Sequence, residues 1–236
     1  DKIAFSIGGN YYNREGVFEN VYTGKMADRE ESGSGRFRFV YTPNSRFTLD
    51  NSFIFGKVDQ DGYAYRLHNP ATGVTEPVNY NDRSGYERTA ISNGLSLNYK
   101  GDKAIFSSIT TWQFLDDCMT LDQDFTPQSY FTLVQAREEH TATEEIVLRS
   151  KEGAHGGYNW LCGAFGFFKQ SDMNAPVQFK RTGIEELIIK NASGSSGIPL
   201  IFDNEELLFD SKFNIPTWGV AAYHESSLEF GKLLLT

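Results

Sequence analysis

The residues best suited to hold a ligand fall between Asp59 and Glu87. That stretch carries Tyr63, Tyr65, Arg66, His68, Tyr80, Arg83 and Tyr86. Aromatic faces with a guanidinium or two beside them can hold a planar or anionic ligand. The competing reading is that these rings pack a long loop against its neighbours. Catalysis finds no comparable set. His68, His140, His155 and His224 are scattered without metal-ligand spacing. Gly33-Ser34-Gly35 and Gly194-Ser195-Ser196-Gly197 lack the strand-turn-helix context of a nucleophile elbow. Asp59-Gln60-Asp61-Gly62 opens like a calcium loop but has no glutamate at the distal ligand position, so a solvated turn is expected. The sequence therefore predicts no enzyme, no resident metal and no cofactor.

Composition sets the frame. Of 236 residues, 39% are apolar and 14% aromatic, with 19 Phe, 12 Tyr and 22 Gly. Many aromatic, Gly and hydroxyl residues with few long helix formers describe an all-β protein. The net charge of −9 argues against a nucleic-acid partner, which would favour a basic patch. No apolar run approaches the roughly 18 residues of a membrane helix, although transmembrane strands escape that test because alternate residues face a lumen. Cys118 falls at a loop end and Cys162 inside a strand near a short turn. Both are expected to be unpaired small residues.

Alternating segments must position these side chains. They read as strands over Lys2–Arg14, Ser32–Thr42, Phe47–Lys57, Ala90–Tyr99, Ala104–Leu115, Thr141–Arg149, Tyr158–Lys169 and Pro216–Leu228, with a ninth beginning at Lys232. In the second and third, Phe37, Phe39, Tyr41, Phe47, Leu49, Phe53 and Phe55 alternate with Arg36, Arg38 and Asp50. In the sixth, Ile146 and Leu148 oppose Glu145 and Arg149. The connections alternate in length. Tight turns at Pro43–Arg46, Lys100–Lys103, Ser150–Gly157 and Ser226–Lys232 are interleaved with long loops over Val17–Glu30, Asp59–Glu87, Asp116–Glu139 and Ser171–Asp210. A short helix over Gly183–Lys190 is the one helical signal. Strands of roughly ten residues suit a tilted crossing of the hydrocarbon layer, and alternation of turn and loop is the plan of outer-membrane barrels. A soluble β-sandwich or adhesin with long recognition loops is the alternative; there a protein core would bury the phenylalanine face.

Several motifs carry a family resemblance. Thr143-Glu144-Glu145-Ile146-Val147-Leu148-Arg149-Ser150, a Gly-rich turn, then Tyr158-Asn159-Trp160-Leu161-Cys162-Gly163-Ala164-Phe165-Gly166-Phe167-Phe168 resembles a strand pair of TonB-dependent outer-membrane receptors. Leu121–Pro127 is similar to the loop before that pair. Phe213–Thr217 with Ala221-Ala222-Tyr223 resembles the next strand, and Tyr41-Thr42-Pro43-Asn44 the family's periplasmic turn. The resemblance implies an antiparallel up-and-down transmembrane β-barrel segment of eight to nine strands. It also implies short periplasmic turns and long extracellular loops, with residues 1–236 being part of one barrel domain of about 22 strands. The implied function is nutrient uptake across the bacterial outer membrane, of a ferric siderophore, haem, cobalamin or oligosaccharide, driven by TonB. Partners would be the nutrient, the lipid bilayer, and a plug domain and TonB reached through parts outside these residues. Arg36, Arg38, Asp50, Glu145 and Arg149 would face the lumen.

Overall fold

In the computed structural model, residues 2–197, 201–231 and 233–236 are described. The strands are β1 (Ile3–Arg14), β2 (Glu19–Asn20), β3 (Lys25–Met26), β4 (Glu30–Asn44), β5 (Phe47–Gln60), β6 (His68–Asn69), β7 (Val74–Thr75) and β8 (Gly85–Lys100). They continue with β9 (Ala104–Asp122), β10 (Phe131–Ser150), β11 (Tyr158–Asn174), β12 (Val177–Lys180), β13 (Glu206–Phe209), β14 (Lys212–Phe230) and β15 (Leu233–Leu235). One sheet runs in the order β1-β4-β5-β8-β9-β10-β11-β14-β15, all antiparallel and all sequential. This is the expected up-and-down, barrel-like meander. The sheet is open, with β1 unpaired along its outer edge and β14 met by β15 only at Leu228–Phe230.

The long strands exceed expectation. β9, β10, β11 and β14 contain 19, 20, 17 and 19 residues. The segments read as loop over Asp116–Asp122, Phe131–Glu139 and Ser171–Asn174 are ladder, and β14 begins at Lys212, before the expected Pro216. There the face that is apolar nearer the short turns becomes polar, through Asp116, Thr120, Glu138 and Asp172, while Met119, Leu121, Leu133 and Met173 fall among charges on the other, so the amphipathic pattern is lost although the backbone pairing continues. The helix is longer too. Arg181–Ser196 is helical throughout, with α1 (Arg181–Gly183), a π-type stretch over Ile184–Ile189 and α2 (Lys190–Ser196). Tyr130 anchors it, since a Cβ on Gly183 would collide with the Tyr130 carbonyl, and the Tyr130 hydroxyl donates to Glu186 at 2.9 Å. The expected strand start at Lys232 lies outside the described residues.

Turn chemistry explains the short connections. Asn44 Oδ1 accepts the backbone N–H of Arg46 and Phe47 at 2.9 and 3.0 Å. Gly101 N–H donates to the Ala104 carbonyl at 2.8 Å, and a Cβ on Gly101 would lie 2.8 Å from that same oxygen. Arg46 then ties this turn to the next through Asp102 at 2.7 Å.

Continuous register sorts side chains onto two faces. Ile7–Phe37–Phe53 and Ile91–Phe114 share one face; Arg38–Ser52–Gly94–Thr111–Thr143 share the other. The apolar face has no covering layer among the described residues. Phe53, Trp112, Ile146 and Phe168 stay 40%, 40%, 44% and 50% exposed although they stand within the sheet. The buried apolar cluster lies elsewhere, between loops, as Ala27, Val78 and Tyr80 with Ala64 against it.

On the polar face two rings lie flat over glycines of the paired strand. Tyr223 covers Gly163 and Phe167 covers Gly219. Rings stacked on glycines in this way shield the bare ladder and pin register. Replacing Gly163 by Ala drives a methyl into the Tyr223 ring and parts its hydroxyl from Glu145, 2.7 Å away. The expected loss is about 1–3 kcal/mol, read as a lowered denaturant midpoint.

Candidate functional site

The long-loop ends of β8, β9, β10 and β11 build a recess on the polar face. Register sets Tyr86, Met119 and Gln135 in one row and Asp117, Arg137 and Met173 in the next. Tyr63 closes over them from the loop, leaving a cavity of about 270 Å³. Asp117 is the electrostatic centre and is 6% exposed. Arg137 forks onto it, Nη2 to Oδ2 at 2.6 Å and Nε to Oδ1 at 3.2 Å, and Tyr86 Oη donates to Oδ2 at 3.0 Å. The recess thus offers a neutralised carboxylate, one half-exposed guanidinium edge, two phenol rings and two thioethers. That set suits a ligand with a flat or apolar body and an acceptor for Arg137.

The seven loop residues do not form one cluster. Tyr63 and Tyr86 line the recess. Tyr65 joins Tyr63 at 5.8 Å and Phe125 at 4.7 Å between ring centroids. Arg66 lies 5.3 Å over the Phe18 ring, and His68 Nδ1 meets Thr75 Oγ1 at 3.0 Å inside the small β6–β7 hairpin. Tyr80 is buried in the inter-loop cluster. Arg83 pairs with Glu87 at 3.7 Å. Tyr65, Arg66, His68, Tyr80 and Arg83 therefore make these contacts outside the recess lining.

Arg36, Arg38, Asp50, Glu145 and Arg149 share the polar face, as their register requires. Arg38 forks onto Asp50. Glu145 is held by Tyr223 rather than by an arginine. Among the described residues Arg149 makes no ion pair; it lines a 530 Å³ recess beside Leu161 and Glu225 at the short-turn rim. Cys118 and Cys162 are unpaired thiols, and Cys162 Sγ lies 3.1 Å from His224 Nδ1. The calcium-like acids face a cation of the protein itself, Arg29, which reaches Asp61 at 3.0 Å and Asp59 at 3.5 Å.

Three carboxylates hold the loops over the recess. Asp28 accepts the N–H of Val17 and Phe18 at 2.8 and 2.9 Å. Burial pushes its pKa up, but those donors and Arg14 outweigh it and hold the carboxyl below its usual range. Asp124 accepts Thr126 and Tyr130 N–H. Asp122 is fully buried at the loop end of β9, where it takes Asp82 N–H at 2.9 Å and Phe125 N–H at 3.2 Å. It thereby joins two loops and fixes Phe125 at a φ of 54°, a left-handed conformation unusual for a non-glycine residue.

Arg137, Asp117, Met119, Gln135 and Met173 escaped sequence reasoning because they fell in segments read as loop. The run Tyr130-Phe131-Thr132-Leu133-Val134, rich in strand formers, was the available signal.

No protein-family model matches the sequence. The fold defines the chain as the wall of a barrel-like antiparallel meander. Among solved structures it is similar to the ferric yersiniabactin uptake receptor FyuA from Yersinia pestis, with a TM-score of 0.56 and 11% identity over 98% of this chain and 40% of that one. The chain spans less than half that receptor's length, and the likeness is one of fold.

Two outcomes are expected. Changing Arg137 to Met leaves Asp117 without its cation and costs about 1–3 kcal/mol, seen as a lower melting midpoint; adding Asp117→Asn recovers most of it. Burial, the main cause, pushes the Asp122 carboxyl up to about 6, against the pull of its two N–H donors. The folded state then binds its proton more tightly than the unfolded chain. The stability it confers is complete below the ordinary aspartate pKa and is lost as pH rises to about 6. Hydrogen exchange at Asp82 and Phe125, corrected for intrinsic rate, should quicken across that window in the parent protein and stay flat in Asp122→Asn.

Proposed function

We propose that residues 1–236 form part of one transmembrane barrel domain of a TonB-dependent nutrient receptor in the bacterial outer membrane. On this reading the short turns face the periplasm and the long loops face outward. The carrying observation is the uncovered apolar face on a sequential meander with alternating turns and loops. Phe, Trp and Ile side chains left in water forgo about 1.5–3 kcal/mol each, and a bilayer recovers it. Tyr41, Phe47, Tyr99, Phe106 and Tyr158 cluster beside the short turns, where an interfacial aromatic girdle belongs. A sandwich would need a second layer over Phe37, Phe39, Tyr41, Phe47, Phe53 and Phe55, and no described residues supply one.

The fold likeness to an uptake receptor supports transport rather than catalysis. It supports a small-molecule nutrient at the coarse level, with a ferric siderophore as the first ligand to test and haem, cobalamin or oligosaccharide behind it. The Tyr63–Tyr86–Arg137 recess is the proposed ligand contact. Polar-face residues such as Arg36 and Arg149 are the proposed contacts for a plug, and coupling to TonB would run through it.

In detergent the full-length protein should be β-rich by circular dichroism and should migrate faster before boiling than after. A monodisperse folded monomer in detergent-free buffer would overturn the reading. Trp112→Arg on the apolar face should lower stability in bilayers by about 2–4 kcal/mol, whereas Gln113→Arg, one residue on and facing the other side, should change it little.

A further inference from the structure

Glu144 stands on the apolar face. Its register places it opposite Thr110 and two positions from Ile146 and Ala142, in the same face as Phe106 and Trp112. Each oxygen is held by a hydroxyl. Ser108 Oγ donates to Oε1 at 2.6 Å and Thr110 Oγ1 donates to Oε2. Ser108 itself is 8% exposed. Two and three strands away on the same face, Asn93 and Asn51 exchange amide hydrogen bonds at 3.1 and 3.2 Å. Their remaining contacts, to the Gly94 and Ser52 carbonyls, are long at 3.4 Å. Phe53, Leu95, Trp112 and Ile146 surround this polar notch.

An ionisable group at this height on a lipid-facing surface is costly, and such groups mark a functional contact with a partner. We propose that the notch is where two copies of the protein meet in the membrane. The proposal rests on the membrane reading above. A carboxylate has about four acceptor sites, of which the two hydroxyls fill two. Each asparagine amide keeps a second hydrogen that is poorly used. One patch thus carries both unfilled acceptors and donors held only by long contacts, which is the condition for a self-complementary two-fold contact. A purely cationic partner would leave the amides unanswered. The spacing fits as well. Asn93 and Glu144 are two strands apart, about 10 Å across the sheet, with β9 between them. A two-fold axis over the Leu95–Thr110 pair brings each Glu144 onto Asn93 of the other copy. The apolar rim then meets its own image and excludes lipid.

The test uses the full-length protein in phosphatidylcholine vesicles, with Cys118 and Cys162 changed to Ser and a single cysteine introduced as Leu95→Cys beside the axis. Iodine oxidation should give a covalent dimer, at least tenfold more than with Phe168→Cys, which lies on the same face but away from the axis. Adding Glu144→Leu should cut the dimer at least tenfold, while heat-modifiable mobility shows an intact barrel. Should Glu144→Leu fail to fold, Asn93→Leu should give the same loss. No dimer, a dimer indifferent to both changes, or a cross-link to a chain of another mass would overturn the proposal. Failure of the parent protein to insert into vesicles would instead sink the membrane reading, and the dimer with it.

Discussion

The uninterrupted hydrogen-bonded register from β1 to β14 is the constraint on which everything else depends. A strand has a side-chain period of two, so one slip would exchange the faces of every residue beyond it. Among the described residues the one register shift is at the β4–β5 turn, between Tyr41 and Asn44, outside the paired body of the sheet. Because the ladder holds elsewhere, aromatic side chains of many strands collect on one surface and Arg38, Asp50, Glu145 and Arg149 on the other. Rings laid over Gly163 and Gly219 reinforce the register at the β11–β14 pair, where the side chains are otherwise smallest.

This architecture separates stability from recognition along the strands rather than between layers. Near the short turns the sheet presents one apolar and one polar face, and its stability depends on what covers the apolar one. Toward the long loops that division is lost, and cohesion comes largely from ion pairs and backbone acceptors: Arg137 on Asp117, Arg29 on Asp61, and the Asp28, Asp122 and Asp124 carboxylates on loop N–H groups. A ligand recess formed there is rigid because strands, not loops, carry most of its lining.

The described parts of the loops pack on one another and on the sheet. β2–β3 and the Val78–Tyr80 segment share a small apolar cluster, clamped by Asn20, which both donates to the Tyr80 carbonyl and accepts its N–H. Between β11 and β14, β12 and β13 extend the sheet beside β10, with Phe131 stacked on Phe179 and Phe209 edge-on to it. Loop residues that resemble ligand contacts in sequence mostly make their contacts elsewhere. Tyr80 and Arg66 show this directly.

The long strands, their sequence order, the turns at Pro43–Arg46, Lys100–Lys103 and Ser150–Gly157 and the two faces were legible in the residues themselves, whereas the turn read over Ser226–Lys232 is strand as far as Phe230. Alternation is a local property: Phe37, Phe39 and Tyr41 alternate with Arg36 and Arg38 whatever lies beyond them, and Pro43-Asn44 and Gly101 encode their own turns. Strand ends were not legible, because toward the long loops charged and apolar residues share a face and the ladder persists without a clean amphipathic signal. The recess was hidden for the same reason. Asp117, Gln135, Arg137 and Met173 are distant in sequence and acquire a common row only through the pairing of β9, β10 and β11. Tertiary structure alone decided that Tyr86 and not Tyr80 reaches it, that Tyr223 rather than an arginine answers Glu145, and that Glu144 stands among apolar neighbours. Each of those depends on which residue register sets opposite, and register is a relation between strands that no single strand contains.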